Sequence, residues 1–245
     1  MKRFRNSISP LLLFSFIFSA VMVAVMIALT IYRSIRAVPG ESLAVMIGNI
    51  LLWMVPFAAK WLFREKISDG IYFFFVIYAF FASFLGSIMS FYGKFWWYDI
   101  VIHTIFGYVA CIIGLFIVCK LCDIRQLSAP FAVLICVSVS LALAVFWEIF
   151  EFTSDVILHN AAGGIHAAQG DPVLGENGEY FIPVNDTMID MICHTCGAAV
   201  FVIHYILHAL TKKSLFLNAL KKDFSSGKQA EPAAQDAAPE TNTEE

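Results

Sequence analysis

At 245 residues, with 60% hydrophobic and only 14% charged side chains and a mean hydropathy of +0.77, the chain has the composition of a membrane protein and not of a soluble domain. The net charge of −3 says little by itself, because basic residues sit in short loops while many acids sit in one long loop and in the tail. Six cysteines lie almost entirely inside apolar segments, which argues against a disulfide framework.

The N-terminal MKRFRNSISP leads into an apolar run from Leu11 to Tyr32. That run is too long for the core of a typical signal peptide and long enough to span, so a retained first transmembrane helix is expected. Further runs follow at about 43–63, 70–92, 99–119, 129–152 and 187–210, each of the length a bilayer requires. The breaks carry turn chemistry: Pro39-Gly40, Asp69-Gly70 and Gly93-Lys94, while Pro130 opens the fifth run where a helix tolerates it. The expected fold is therefore all-α, a polytopic membrane bundle of six transmembrane helices over residues 11–210.

Lys and Arg distribution sets the orientation. Thirteen of the sixteen fall on the side that includes residues 1–10 and the C-terminal region, and only Arg33, Arg36 and Lys94 fall on the other. Both termini are expected in the cytoplasm, with the chain in the bacterial cytoplasmic (inner) membrane. Loop 153–186, which has no Lys or Arg, then lies outside, and VLGENGEYFI within it suits a small hairpin around Asn177-Gly178. Residues 211–224 place Phe216, Leu217, Leu220 and Phe224 on one side among lysines, as a basic amphipathic segment on the inner leaflet would. Residues 225–245, rich in Ala, Pro, Glu, Gln and Thr, have the composition of a disordered tail. Cys119/Cys122 and Cys193/Cys196 are both C-x-x-C, yet this topology sends them toward opposite faces, so they read as small packing residues and not as one zinc site.

Three polar stripes stand out. In WWYDIVIH, Asp99 and His103 are i, i+4 neighbours, and Gly107 and Gly114 continue that face, where another helix can approach closely. In FWEIFEFTSD, Glu148, Glu151 and Asp155 fall within roughly 60° on a helix. In DTMIDMICHTCGA, Asp186, Asp190 and His194 fall within roughly 80°, with Gly197 on the same stripe. The topology puts all three at the outer ends of helices four, five and six. At 1.5 Å per residue, Glu148, His103 and His194 are expected at similar depth beneath Asp99, Glu151 and Asp190. Ionisable side chains inside a membrane are costly and mark sites by default. So many carboxylates without Lys or Arg cannot all ionise unless protons or a cation neutralise them. The expected ligands of a divalent metal (Zn, Mn or Mg) are Asp99, His103, Glu148, Asp186, Asp190 and His194. His204 and His208, near the inner end, read as packing residues.

YDIVIHTIFGYV, FWEIFEF, QGD and DTMIDMICHTCGA, in that order over roughly residues 70–200, resemble the YjdF-like family of bacterial inner-membrane proteins. The D-x-x-x-H, E-x-x-E/Q and D-x-x-x-N-x-x-G succession is also similar to the broader VanZ-like group, some members of which are linked to glycopeptide (teicoplanin) resistance. The resemblance implies polar family positions at Asp99, His103, Glu148, Asp171, Asp186 and Asp190. The chain departs from it at Ile100, where a basic residue often stands, and at His194, which replaces the Asn. Fourteen residues are inserted between Asp171 and Asp186. The resemblance implies an architecture and a site, not a reaction.

Three functions compete on these residues. One is a metal-dependent hydrolase or transferase acting on a lipid-linked or envelope substrate, with Glu148, Asp190 and Glu151 as catalytic carboxylates. Another is cation or proton binding and transport, since acid and His chains serve such paths. The third is a structural or partner protein whose polar residues join helices. Membrane lipids are the expected surroundings, and no nucleic-acid partner is expected.

Overall fold

The first apolar run folds as α1 (Pro10–Arg36), with Pro10 at the first helical position, where its missing N–H is no loss. The Ser9 hydroxyl caps it by accepting from the Leu12 N–H at 3.1 Å. This is a computed structural model, and the residues it describes are 9–36, 43–63, 68–122, 127–158, 173–174, 180–181, 183–211, 213, 217–218 and 220–221. The second run is broken into α2 (Leu43–Trp53) and α3 (Val55–Phe63). Pro56 supplies no N–H and its ring crowds the preceding turn, so the Met54 N–H tightens onto the Leu51 carbonyl at 3.0 Å.

The third run departs from expectation. It begins as α4 (Asp69–Ala79), capped by Ser68, then widens into a π-helix, π1 (Phe80–Ile88). The chain turns through Ser90, whose φ of 58° is left-handed, into the short α5 (Phe91–Lys94). The span thus ends at Ile88 and not near residue 92. The Arg33 guanidinium donates to the Ile88 carbonyl at 2.9 Å and the Lys94 ammonium to Met89 at 2.8 Å, satisfying carbonyls that π1 leaves open.

The remaining helices are α6 (Tyr98–Leu121), α7 (Ala129–Leu158) and α8 (Pro183–Thr211). Two short strands, β1 (Val173–Leu174) and β2 (Tyr180–Phe181), pair antiparallel between α7 and α8, as the hairpin pattern requires. Among the described residues, six segments are long and apolar enough to cross a membrane: 10–36, 45–62, 69–88, 98–121, 129–151 and 187–211.

Two regions of packing result. Met22, Met26, Met46, Trp53 and Ile88 bury themselves among α1, α2 and π1, while Asn49 accepts from Ser83 at 2.9 Å across that interface. At the other end of α4, Asp69 accepts from Lys60 at 2.9 Å and from Ser9. The second region is α6, α7 and α8, which carries the site. A Cβ at Gly107 would fall on the His194 carbonyl, and one at Gly197 on the Thr104 carbonyl. The two glycines therefore face each other where α6 and α8 cross, and backbone meets backbone there. Partners rise together along both helices (His103 with Asp190, Phe106 with His194, Tyr108 with His204), so α6 and α8 run parallel. Gly114 gives α7 the same closeness, against Cys136.

Below this crossing Cys111, Leu115, Cys119, Cys136 and Phe201 form an apolar core. Leu217 is fully buried in it, and Lys221 donates to the Tyr205 hydroxyl at 3.2 Å with its ammonium 4.4 Å from that ring. Leu217 and Lys221 of the 211–224 segment thus pack against the bundle. Burial pulls the Lys221 ammonium below the usual lysine range. All six cysteines are free thiols.

Candidate metal centre

The N-terminal part of the α6–α8 interface brings Asp99, His103 and Asp190 together. His103 Nε2 lies 3.3 Å from Asp99 Oδ1, one turn earlier on α6, and 3.9 Å from Asp190 Oδ2 on α8. One ligand atom from each residue lies within 4.8 Å of the other two. His103 and Asp190 are buried, and Asp99 is partly open. An imidazole nitrogen and two carboxylate oxygens at this separation need only short side-chain motions to reach the roughly 2.0–2.2 Å of a first-row metal. Among the described residues this is the one such group of three or more.

Glu151 on α7 is close enough to His103, Asp99 and Asp190 to feel their charges, with Glu148 beside it. Tyr78 stacks on Phe106 of α6, and its hydroxyl lies 3.4 Å from the Ile102 carbonyl, next in sequence to His103. Each of the three basic residues assigned to the outer side is engaged elsewhere. Arg33 and Lys94 bind carbonyls at the end of π1, and Arg36 lies over the Tyr32 ring.

His194, one turn inward of Asp190, has a different occupation. Its Nε2 lies 2.8 Å from Ser140 Oγ and 3.0 Å from the Ser140 carbonyl on α7, and Phe106 meets its ring edge-on. A carbonyl only accepts, so Nε2 carries the proton and Nδ1 is a bare lone pair. That Nδ1 is buried without a hydrogen-bond partner among the described residues. The Ser140 hydroxyl in turn donates to the Gly107 carbonyl at 3.0 Å. Imidazole, serine and glycine thus knit α6, α7 and α8 beneath the acids.

A family model described as "Predicted membrane protein (DUF2238)" matches residues 14–210. The chain belongs to this family. No curated protein and no solved structure matches it. In this DUF2238 chain the match runs from α1 to the end of α8. It takes in all three polar stripes and the motifs on which the YjdF-like resemblance rests.

Of the six expected ligands, the fold gathers Asp99, His103 and Asp190 into one group. His194 is not in it. The facing glycines set Asp190 against His103, and His194 falls a turn lower, on Ser140. Glu148 is half-buried on α7 near Glu151, outside the group of three. The side chains of Asp186 and Asp155, and all of Asp171, lie outside the described residues.

Ser140 and Tyr78 escaped the sequence reading. Ser140 sits in VSVSLALAV, where neither serine hydroxyl carries a signal. The tyrosine had one: a phenol inside FFFVIYAFF keeps a polar handle that a phenylalanine would not.

Proposed function

We propose that Asp99, His103 and Asp190 hold a divalent cation at the extracytoplasmic end of α6 and α8, and that this cation serves hydrolysis or group transfer on a lipid-linked or envelope substrate. The observation that supports it most is the meeting of three ligand atoms within 4.8 Å across two helices. A cation supplies counter-charge to carboxylates that would otherwise be expensive to bury. When bound it polarises a substrate oxygen or activates water. Glu151, in reach of the group and not part of it, is the candidate general base, with Glu148 behind it. The placement outside rests on the thirteen-to-three distribution of Lys and Arg, which also argues for a bacterial cytoplasmic membrane with both termini inside. The wider likeness to VanZ-like proteins rests on the D-x-x-x-H spacing and adds an envelope setting to this reading.

Melting curves in detergent test it, first with chelator and then with Zn²⁺, Mn²⁺ or Mg²⁺. A cation that binds the folded state at one hundred times its Kd adds about 2.7 kcal/mol, a rise of several degrees. His103→Ala and Asp190→Asn should lose that rise. If no ion raises the melting temperature of the wild type, a protonated His103 bridging the two carboxylates is the site's only cation, and the metal reading is wrong.

A further inference from the structure

Asp99 is the member of the group that the α6–α8 crossing does not hold. His103 and Asp190 sit within the bodies of their helices, set against each other by Gly107 and Gly197, and both are buried. Asp99 belongs to the first turn of α6 and is partly open. That turn has no side-chain cap, because Trp97 stands at the N-cap position without a side-chain hydrogen bond. Helix ends without caps leave backbone donors unsatisfied and fray. What grips this end is Tyr98, the residue before Asp99. It is buried, and its hydroxyl donates to the Phe81 carbonyl of π1 at 2.9 Å. Phe91 and Tyr92 of α5 meet its ring edge-on, with centroids 5.4 and 5.5 Å away. Tyr92 is seated in turn on π1, where a Cβ at Gly86 would strike its ring. The connection from π1 to α6 is itself hydrogen-bonded: the Ser90 N–H donates to the Ser87 carbonyl, Lys94 to Ser90 and Tyr98 to Phe95.

We infer that Tyr98 is the positioning residue of the site: through its hydrogen bond to Phe81 it holds the first turn of α6, and so fixes Asp99 against His103 and Asp190. Successive residues of a helix point about 100° apart. Tyr98 therefore reaches π1 while Asp99 turns toward His103, and the anchor does not compete with the ligand. Both residues belong to one turn, so any rotation of that turn carries the carboxylate with it. The 3.3 Å between Asp99 Oδ1 and His103 Nε2 is the distance the anchor protects. It also gives π1 a task. Such helices are rare and occur mostly at functional sites, and this one presents both the Phe81 carbonyl and the clearance at Gly86 to the start of α6. The inference deepens the metal reading above and takes its most sensitive readout from it. Its geometric core, Asp99 held against His103, is measurable without metal.

The test uses the full-length chain in detergent with Co²⁺, whose visible absorption reports the number and arrangement of its ligands. Tyr98→Phe keeps the ring and removes the donor. It should weaken Co²⁺ binding about tenfold, the effect of losing one good hydrogen bond. It should also shift the absorption in the direction in which Asp99→Asn shifts it. Tyr205→Phe is the control, since it removes a buried hydroxyl that accepts from Lys221 at the other end of the bundle. It should change neither reading. In chelator, the ring ¹⁵N resonances of His103 should move in Tyr98→Phe while those of His194 stay. Gly86→Ala displaces Tyr92 and reaches the same anchor from π1. It should act in the same direction, and it carries the test where Tyr98→Phe does not fold. Co²⁺ binding and absorption unchanged in both variants overturn the inference while the metal reading stands. Equal weakening in Tyr98→Phe and Tyr205→Phe shows general loosening of the bundle, which also overturns it. If Co²⁺ does not bind the wild type, the metal reading fails and the ¹⁵N resonances decide alone: movement of His103 in Tyr98→Phe upholds the positioning role, and no movement overturns it.

Discussion

His194 and His103 are the same residue type on neighbouring turns of the bundle, and the fold gives them opposite tasks. His103 turns Nε2 to two carboxylates from different helices. His194 spends Nε2 on Ser140 and packs its ring on Phe106. One is therefore a candidate ligand, and the other a buried hydrogen-bonding tie between helices. Replacing each by alanine should separate the two roles. His194→Ala removes a buried donor and leaves a cavity, at a cost of about 1–3 kcal/mol. It should lower the melting temperature in chelator by several degrees and keep the rise on adding metal. His103→Ala should also lower the chelator value, because it takes the imidazole from between two carboxylates, but it should lose the rise. The reverse pattern, with the metal response lost in the His194 variant and kept in the His103 variant, would return the site to the deeper position that residue spacing alone suggested.

At the scale of elements, the crossing of α6 and α8 decides which of these residues meet. The glycine stripes were legible in the sequence: Gly107 and Gly114 follow Asp99 and His103 down one face, and Gly197 lies below Asp190 and His194. The register between the helices was not legible, because a stripe tells which face is shared and not how far one helix slides along the other. Depth measured from each helix mouth put His194 level with His103. The facing glycines instead put Asp190 there. Since a Cβ at either glycine would fall on the partner's backbone, neither helix can yield by turning a side chain. Gly107→Ala and Gly197→Ala should each destabilise by about 1–3 kcal/mol or more, the range for overpacking a tight interface. Both should also weaken the metal response, because separating the helices parts Asp190 from His103. Gly70→Ala, at a position with open space around it, is the control and should change neither. Equal melting temperatures for Gly107→Ala and Gly70→Ala would show that the close crossing is not what holds the site.

For the whole molecule, hydropathy located all six spans to within a few residues, because a bilayer demands about twenty apolar residues whatever the packing. Local widening was beyond its reach. Nothing in FFASFLGSI distinguishes a π-helix from an α-helix until its neighbours, Tyr92 on Gly86 and Arg33 on Ile88, are known. Orientation is an expectation from charge counting, under which the Asp99 group would face outside. Single cysteines at Gly175 and Ser226, in a chain stripped of its own six, should react differently with an impermeant maleimide on intact cells. Gly175 should label and Ser226 should not. The opposite result would place the Asp99 group at the cytoplasmic face and end any role on an envelope substrate.

The central claim, that Asp99, His103 and Asp190 form a cation site, is tested most directly by the metal content of protein purified without chelator. Elemental analysis should find close to one equivalent of a divalent metal in the wild type and in His194→Ala. It should find a clear loss in His103→Ala and Asp190→Asn, each compared as folded protein. Metal absent from the wild type, or present equally in all four, would contradict the account.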